Sequence, residues 1–188
     1  MKPLSDRTAH FTDSVIRRMT RVANRYGAVN LSQGFPDFDP PNEITDRVKK
    51  VHDFLTVGAA APLMEAAVTG LNFGDDYYEG LQAHYTHMKN LFTGGLRNLG
   101  FTFTDPQGAY YVLMDVSEFG VRDDYKFCEW MTREVGVATV PGSSFFKEDV
   151  HTLIRFHFAK EDATLNDALN RLETLREKAN AATDVDWR

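Results

Sequence analysis

The sequence has one cysteine, no long apolar run and fewer basic than acidic residues, and each shortage excludes a class of protein. Cys128 cannot form an internal disulfide, which is typical of the reducing cytoplasm. A net charge of −6 argues against nucleic acid as a main partner, because phosphate binding needs clustered cations. No apolar run approaches the roughly 20 residues of a membrane span, and the first residues lack the apolar core of a signal peptide. We therefore expect a cytoplasmic protein without a membrane partner.

The composition is that of an ordinary globular domain, with 43% hydrophobic and 26% charged residues among 188. We expect residues 1–188 to form a single domain. Apolar residues spaced three and four apart predict helices in the first half of the chain and again near its end. Alternating apolar residues predict strands at 109–116, 137–140 and 154–158. The order predicts an α+β fold, an α/β sandwich in which helices cover a small, mainly antiparallel sheet.

Two glycines interrupt the longest predicted helix, which starts at Asp75 or Asp76 and runs to Leu96. Each glycine costs about 1 kcal/mol relative to alanine inside a helix. The pair Gly94-Gly95 therefore predicts a kink or a frayed turn. Beyond Ala179 the apolar stripe of the last helix is lost, and Trp187 is the one residue there that predicts an anchor to the core.

Arg155 is the most informative polar residue, because it lies in the middle of an apolar strand. Ile154, Phe156 and Phe158 share one face of that strand, so Arg155 points the other way. A guanidinium in this position needs an anionic partner or a polar cleft. It is either a structural arginine paired with a nearby Asp or Glu, or a group that binds a carboxylate in a bidentate manner. His157 shares its face and could border the same cleft.

Other candidate sites favour structural roles. His84 and His87 share a helix face, a spacing that can bind zinc or nickel, but no third ligand follows at suitable spacing. Cys128 stands between Phe127 and Glu129 near Trp130, which indicates a buried thiol rather than a nucleophile. Residues 141–144, Pro-Gly-Ser-Ser, could bind an anion, but a structural turn is favoured. Tyr110 and Tyr111 are assigned to core and surface rather than to a catalytic pair.

Four segments together resemble a known family. They are Leu-Ser-Gln-Gly-Phe-Pro-Asp-Phe-Asp-Pro-Pro at 31–41, Phe-Leu-Thr-Val-Gly-Ala-Ala-Ala-Pro-Leu at 54–63, Pro-Gln-Gly-Ala-Tyr-Tyr at 106–111, and Val-Pro-Gly-Ser-Ser-Phe at 140–145 followed by Ile-Arg-Phe-His-Phe at 154–158. In this order they resemble the class I/II aminotransferases, which use pyridoxal phosphate (PLP). The broad-specificity branch that acts on aromatic amino acids, methionine, glutamine or kynurenine is the most similar.

The resemblance implies roles for three residues. Arg155 would bind the α-carboxylate of the substrate, and Gly34 would contribute a backbone N–H to the same carboxylate. Phe35 would border the substrate side chain. The resemblance also implies the fold of the family's small domain for residues 75–188. Residues 1–41 would form an N-terminal arm and loop, joined near 42–48 to helices at 48–73 that derive from the large domain.

The family's cofactor machinery has no counterpart here. The resemblance requires a lysine after a Ser/Thr-rich run, an Asp for the pyridinium nitrogen and a phosphate-binding cup. None of the lysines stands in that context, and Asn-Pro-x-Asn-Pro and Asp-x-x-Tyr motifs are missing. We therefore expect no catalytic lysine, no bound PLP in this chain and no metal. The resemblance therefore implies a truncated aminotransferase in which the PLP-binding large domain is missing.

Three hypotheses for function follow. The first is an isolated small domain that binds an amino acid or small carboxylate weakly and does not catalyse transamination alone. The second is an active aminotransferase, converting an amino acid to a 2-oxo acid, completed by another chain. The third is a scaffold that self-associates without a ligand. Helices that once contacted the large domain would expose apolar residues, so a homo-oligomer is expected. The candidates for that contact are Phe54, Leu55, Leu63 and Met64.

Overall fold

The structure is a computed structural model, and it describes residues 14–34, 36–52, 60–183 and 185–188. Most helices lie in the first half of the chain, and four of the five strands lie between residues 111 and 157. The helices are α1 Val15–Tyr26, α2 Asn42–His52, α3 Ala60–Leu71, α4 Asp75–Asn98, α5 Asp124–Glu134, α6 Asp162–Leu172 and α7 Leu175–Ala181. The strands are β1 Val29–Asn30, β2 Tyr111–Asp115, β3 Val137–Ala138, β4 Val140–Pro141 and β5 Leu153–His157.

The main sheet has three antiparallel strands with β5 in the centre, between β2 and β4. All three strands meet at Ile154 and Arg155, and Arg155 pairs with Leu113 on one side and Val140 on the other. A second, parallel pair joins β1 to β3. The α+β prediction with a small, mainly antiparallel sheet is confirmed.

The core lies between this sheet and the helices. Ile154 and Phe156 are fully buried, as the alternation in β5 predicts. The Phe156 ring meets Phe92 of α4 at a centroid distance of 5.7 Å. Trp187 is also fully buried, against Phe127 and Trp130 of α5, which confirms its role as an anchor for the chain end.

The predicted frayed turn in α4 is wrong, because the helix runs unbroken through Gly94 and Gly95. The reason lies in a neighbouring helix. Leu169 of α6 packs directly on Gly95, so that a Cβ there would lie 2.6 Å from Leu169 Cδ2. Gly95 therefore allows α4 and α6 to approach closely, whereas a Cβ at Gly94 would meet no atom within 4 Å.

Helices α2 and α3 pack mainly against each other. Helix α3, Ala60–Leu71, lies within the range 48–73 in which helices were expected. Leu63 is 60% exposed and Met64 is 64% exposed, whereas Phe54 and Leu55 lie outside the described residues. Self-association through this apolar face and the division of the chain at residues 42–48 and 73–75 stay predictions.

Membrane insertion finds no support in the described residues. None of the helices there is both long and apolar enough to cross a bilayer.

The two glycines of α4 give a matched pair of variants. Gly94→Ala should stabilise the fold by about 1 kcal/mol, because alanine favours the helix. Gly95→Ala gains the same helical preference but must displace Leu169, and overpacking typically costs about 1–3 kcal/mol. Urea denaturation followed by circular dichroism should therefore place Gly95→Ala below Gly94→Ala in free energy of unfolding. Equal values would show that Leu169 moves without cost.

His157 makes the stability of the fold depend on pH. Its side chain is fully buried. Burial, followed by the positive charge of Lys160, lowers the pKa of His157 from 6.5 to about 4. The unfolded chain therefore binds the proton more readily than the folded chain between these two values.

The free energy of unfolding should consequently fall as the pH is lowered from 6.5 towards 4. The contribution of His157 to this fall is about 3 kcal/mol, at 1.36 kcal/mol for each pKa unit. Urea denaturation of the native protein and of His157→Leu across this pH range measures it. The variant should lose stability less steeply than the native protein, and parallel curves would contradict the assignment.

Candidate functional site

Arg155 presents its guanidinium between two aromatic rings. Its Cζ lies 3.9 Å from the centroid of Phe145 and 4.2 Å from that of Tyr111. The backbone beneath it is fixed, since Thr139 Oγ1 donates a 2.6 Å hydrogen bond to the Arg155 carbonyl oxygen. Cation–π contacts of this kind favour the charged group at the ring faces and leave the N–H edge available for hydrogen bonds.

The charge of Arg155 has no anionic partner in the described part of the chain. None of the ion pairs there includes it, and its buried Nε lacks a hydrogen-bond acceptor. Burial lowers the pKa of the guanidinium below its usual value, although an arginine stays charged at neutral pH. The interpretation as a structural arginine paired with a local Asp or Glu is therefore wrong for the described residues. A cation that is partly removed from water and lacks an anionic partner is costly, so the site favours an anion.

A cavity of about 380 Å³ opens beside the guanidinium. Its volume is within the range of small-molecule sites. One carboxylate, that of Asp105, is part of the wall, and Gln107 Nε2 lies 3.5 Å from it. The other lining residues are Thr104, Pro106, Tyr111, Leu113, Phe145 and Arg155. The cavity thus combines an apolar wall with one cation, an arrangement that suits a small organic carboxylate.

Gly34 lies against the tyrosines next to Arg155. A Cβ at Gly34 would be 2.8 Å from Tyr111 Oη and 2.9 Å from a ring carbon of Tyr110, so only glycine allows this approach. The structure thus brings Gly34 and Arg155 to the same ring, that of Tyr111, although Gly34 is not among the residues that line the cavity. Phe35 lies outside the described residues.

Tyr111 and Phe145 are the residues of the candidate site that sequence reasoning missed. The assignment of Tyr111 to core or surface overlooked its contact with Arg155. Burial, and then its hydrogen bond with Tyr110, raises the pKa of Tyr111. The signal that could have found these residues is strand pairing, because β2 and β4 are the neighbours of β5. His157 shares the strand face of Arg155, but it is buried and does not line the cavity.

The loop that follows Gly34 is fixed by Asp37. Its carboxylate accepts a 2.6 Å hydrogen bond from the backbone N–H of Glu161 and a 2.5 Å bond from Thr164 Oγ1, at the start of α6. Burial alone would raise the pKa of Asp37, but these hydrogen bonds and Lys160 outweigh it and lower the pKa. Asp37 therefore caps α6 from a distant part of the chain.

The remaining candidates have structural roles. Ser143 donates its N–H and hydroxyl to Asp124, so residues 141–144 form the favoured structural turn. His84 packs on Phe38, and His87 Nε2 lies 2.8 Å from Asp162 Oδ2. In the ranges that the structure describes, no three metal-ligating side chains come together. Cys128 is buried, and burial raises the pKa of its thiol well above the usual value.

The described lysines do not fit the cofactor of the resembled family. None of them lines the cavity at Arg155. Lys126 contacts Asp123 and Asp186, Lys178 donates to the Glu134 carbonyl oxygen, and Lys160 lies near Asp37. Lys2 and the side chains of Lys49 and Lys50 lie outside the description. The cavity at Arg155 is thus lined by a guanidinium, and no described lysine stands beside it that could bind an aldehyde.

Comparison with known proteins identifies the family of this chain. The family model described as Aminotransferase class I and II matches residues 10–172. The methionine aminotransferase of Escherichia coli K12 is 33% identical over 136 residues, which cover 72% of this chain and 35% of that protein. A probable kynurenine–oxoglutarate transaminase of Saccharomyces cerevisiae, BNA3, is 28% identical over 154 residues, again 35% of its length. The chain therefore spans about a third of the length of these curated relatives.

Solved structures show the same relationship. Yeast Bna3p superposes with a TM-score of 0.57 at 28% identity, over 68% of this chain and 35% of that chain. The E. coli methionine aminotransferase YbdL superposes with a TM-score of 0.78 over 93% of this chain and 100% of that chain, and at 15% identity this likeness concerns the fold alone. The family model covers most of the chain. This chain therefore belongs to the class I and II aminotransferase family.

Proposed function

We propose that this chain is the small domain of a class I and II aminotransferase, and that it retains the part of the substrate site that binds the α-carboxylate. In this proposal it does not catalyse transamination by itself. The observation that carries the proposal is the guanidinium of Arg155, stacked between Phe145 and Tyr111 at a cavity and without an anionic partner in the described residues.

The geometry suits a carboxylate for a physical reason. A planar guanidinium whose faces are covered by rings can offer hydrogen bonds only along its edge, and a carboxylate fits that edge in a bidentate manner. The two rings also keep water from the faces of the cation, and an ion pair is stronger where water is excluded. Gly34 supports this role, because its approach to Tyr111 places a backbone segment beside the same ring.

The ligand that we propose is an amino acid with an apolar side chain. The wall of the cavity is largely apolar, with Pro106, Leu113 and Phe145 among its residues. Two of the relatives are named for methionine and kynurenine transamination, which supports the same class. L-Methionine is therefore the first probe.

Arg155→Met should abolish or strongly weaken binding of L-methionine. The variant keeps an apolar side chain between the two rings but lacks the donors for the carboxylate. Hydrogen bonds to a charged group contribute about 1.5–3 kcal/mol, so the affinity should fall at least about tenfold. Isothermal titration calorimetry at neutral pH measures the change.

Two controls isolate the carboxylate. Arg25→Met removes an exposed arginine that also lies over a ring, that of Tyr26 at 6.0 Å, and should leave the affinity unchanged. L-Methioninamide lacks the carboxylate and should bind neither the native protein nor Arg155→Met measurably. Equal heats for native protein and Arg155→Met would favour the scaffold hypothesis.

The absence of transamination is a separate proposal with its own test. The chain alone, mixed with PLP and reduced with borohydride, should give no site-specific lysine adduct by intact mass and peptide mapping. The reason is that the described lysines lie away from Arg155. A stoichiometric adduct on one lysine, lost when that lysine is changed to arginine, would contradict the proposal.

A second candidate function is an aminotransferase completed by another chain. It is favoured by one observation, that this chain spans about a third of the length of its curated relatives. In that case the partner would supply the lysine and the cofactor site, and Arg155 would keep the same role.

A further inference from the structure

We propose that Asp124 is a positioning residue for the carboxylate site, and that His151 makes this positioning depend on pH. Asp124 fixes the turn Gly142–Phe145, and the turn holds the Phe145 ring against Arg155. The ligand-binding part of this inference rests on the proposed function. The positioning itself can be observed without a ligand.

Asp124 is a buried carboxylate whose bonds are directed at this turn. It is the first residue of α5, and only 1% of it is exposed. Its Oδ2 accepts the backbone N–H of Ser143 at 2.8 Å, and its Oδ1 accepts the Ser143 hydroxyl at 2.9 Å. Removing the partner of a buried charge is strongly destabilising, so these bonds tie the turn to α5.

The turn reaches Arg155 over a short distance along the chain. Val140, just before the turn, pairs with Arg155 in the sheet, and Phe145, its last residue, lies 3.9 Å from the Arg155 Cζ. Gly142 packs so closely on β5 that a Cβ would overlap the carbonyl oxygen of Leu153. The turn is thus fixed at Gly142 by packing and at Ser143 by Asp124. Phe145 follows Ser143 by two residues and has no comparable anchor of its own, since it is 43% exposed.

His151 completes the arrangement from the opposite side. Its Nδ1 lies 3.1 Å from Asp124 Oδ1, and its Nε2 lies 2.8 Å from Asp149 Oδ1. In the described residues, these two carboxylates are the charged groups that face it, one from α5 and one from its own loop. A neutral imidazole carries one N–H and can donate to only one of them, whereas the protonated ring donates to both.

The direction of the pH effect follows. The hydrogen bond with Asp124, and then that with Asp149, raises the pKa of His151 above 6.5. Below that value the protonated ring bridges both carboxylates and the turn is held most firmly. As the pH rises through the raised pKa, the ring loses its positive charge and one of its two N–H donors. Whichever tautomer remains, the contact with Asp124 is no longer assisted by that charge, so the hold on Asp124 weakens.

The same residues do not form a catalytic triad. In a nucleophilic triad the histidine lies between the serine and the carboxylate and accepts the serine proton. Here Asp124 lies between Ser143 and His151, so Ser143 donates to a carboxylate and has no histidine base. The order of the three groups therefore points to positioning rather than to acyl transfer.

The first test uses the ligand-free protein. Aromatic rings shift the NMR resonance of a proton close to their faces, so the Arg155 Nε–H resonance reports the place of Phe145. The difference in this resonance between native protein and Phe145→Leu gives the part of the chemical shift that the Phe145 ring causes. In native protein the resonance should move between pH 6 and 9 with the same midpoint as the His151 ring protons, and His151→Gln should abolish that movement. A resonance that ignores pH in native protein would overturn the role of His151.

Two variants test Asp124 itself. Asp124→Asn removes the charge, and Ser143→Ala keeps the buried carboxylate but removes one of its hydrogen bonds. Ser143→Ala serves where Asp124→Asn does not fold. Both should move the Arg155 Nε–H resonance towards its position in Phe145→Leu. Thr174→Ala, which removes a hydroxyl bond to the Arg171 carbonyl oxygen at the other end of the fold, should not move it. An unchanged resonance in Ser143→Ala and in folded Asp124→Asn would overturn the proposal.

Binding of L-methionine to the same variants distinguishes a failure of this inference from a failure of the proposed function. Ser143→Ala should bind L-methionine about three- to tenfold more weakly than native protein, the range expected for losing one hydrogen bond. His151→Gln should remove the decline of native affinity with rising pH. If native protein does not bind L-methionine at all, the proposed function fails, and the resonance experiment still decides the positioning. If native protein binds and these variants bind equally well at every pH, the positioning inference fails alone.

Discussion

The charge of Arg155 is the constraint on which the site depends. A guanidinium in the central strand of a sheet is partly removed from water, and the described chain provides two rings but no anion. The rings stabilise the cation through their faces. They cannot accept its hydrogen bonds, and its Nε is left without an acceptor. The fold therefore keeps a cation beside a cavity without an anionic partner in the described residues, and this is the observation on which the proposed carboxylate site rests.

Two carboxylates, those of Asp37 and Asp124, each join a loop near Arg155 to the first turn of a helix. Asp37 ties the loop after Gly34 to the first turn of α6, and Asp124 ties the turn before β5 to the first turn of α5. Helix α6 packs on α4, and α5 packs on α1 and on the strands. The loops that surround Arg155 are thus attached to the helices that form the core, so core packing fixes the walls of the cavity.

The sequence predicted those features that depend on local pattern. The period of two in β5 predicted that Ile154 and Phe156 are buried and that Arg155 points away from them, because strand alternation is a property of the backbone. The frayed turn at Gly94 and Gly95 was wrongly predicted because helix propensity ignores Leu169, which comes from a distant helix. Tyr111 and Phe145 were missed for the same reason. Their contact with Arg155 depends on which strands pair, and strand order is not contained in the pattern of any one strand.

The contacts that hold Arg155 explain why binding and chemistry can be separated in this chain. Its backbone is fixed by Thr139, its faces are covered by Tyr111 and Phe145, and Phe145 is held through Ser143 by Asp124. All of these residues lie between positions 111 and 155, within the matched region of the family. In the proposed function these contacts present the Arg155 guanidinium to a carboxylate. Transamination makes a further demand, because it requires an amine close to the bound amino acid, and none of the described lysines lines the cavity at Arg155.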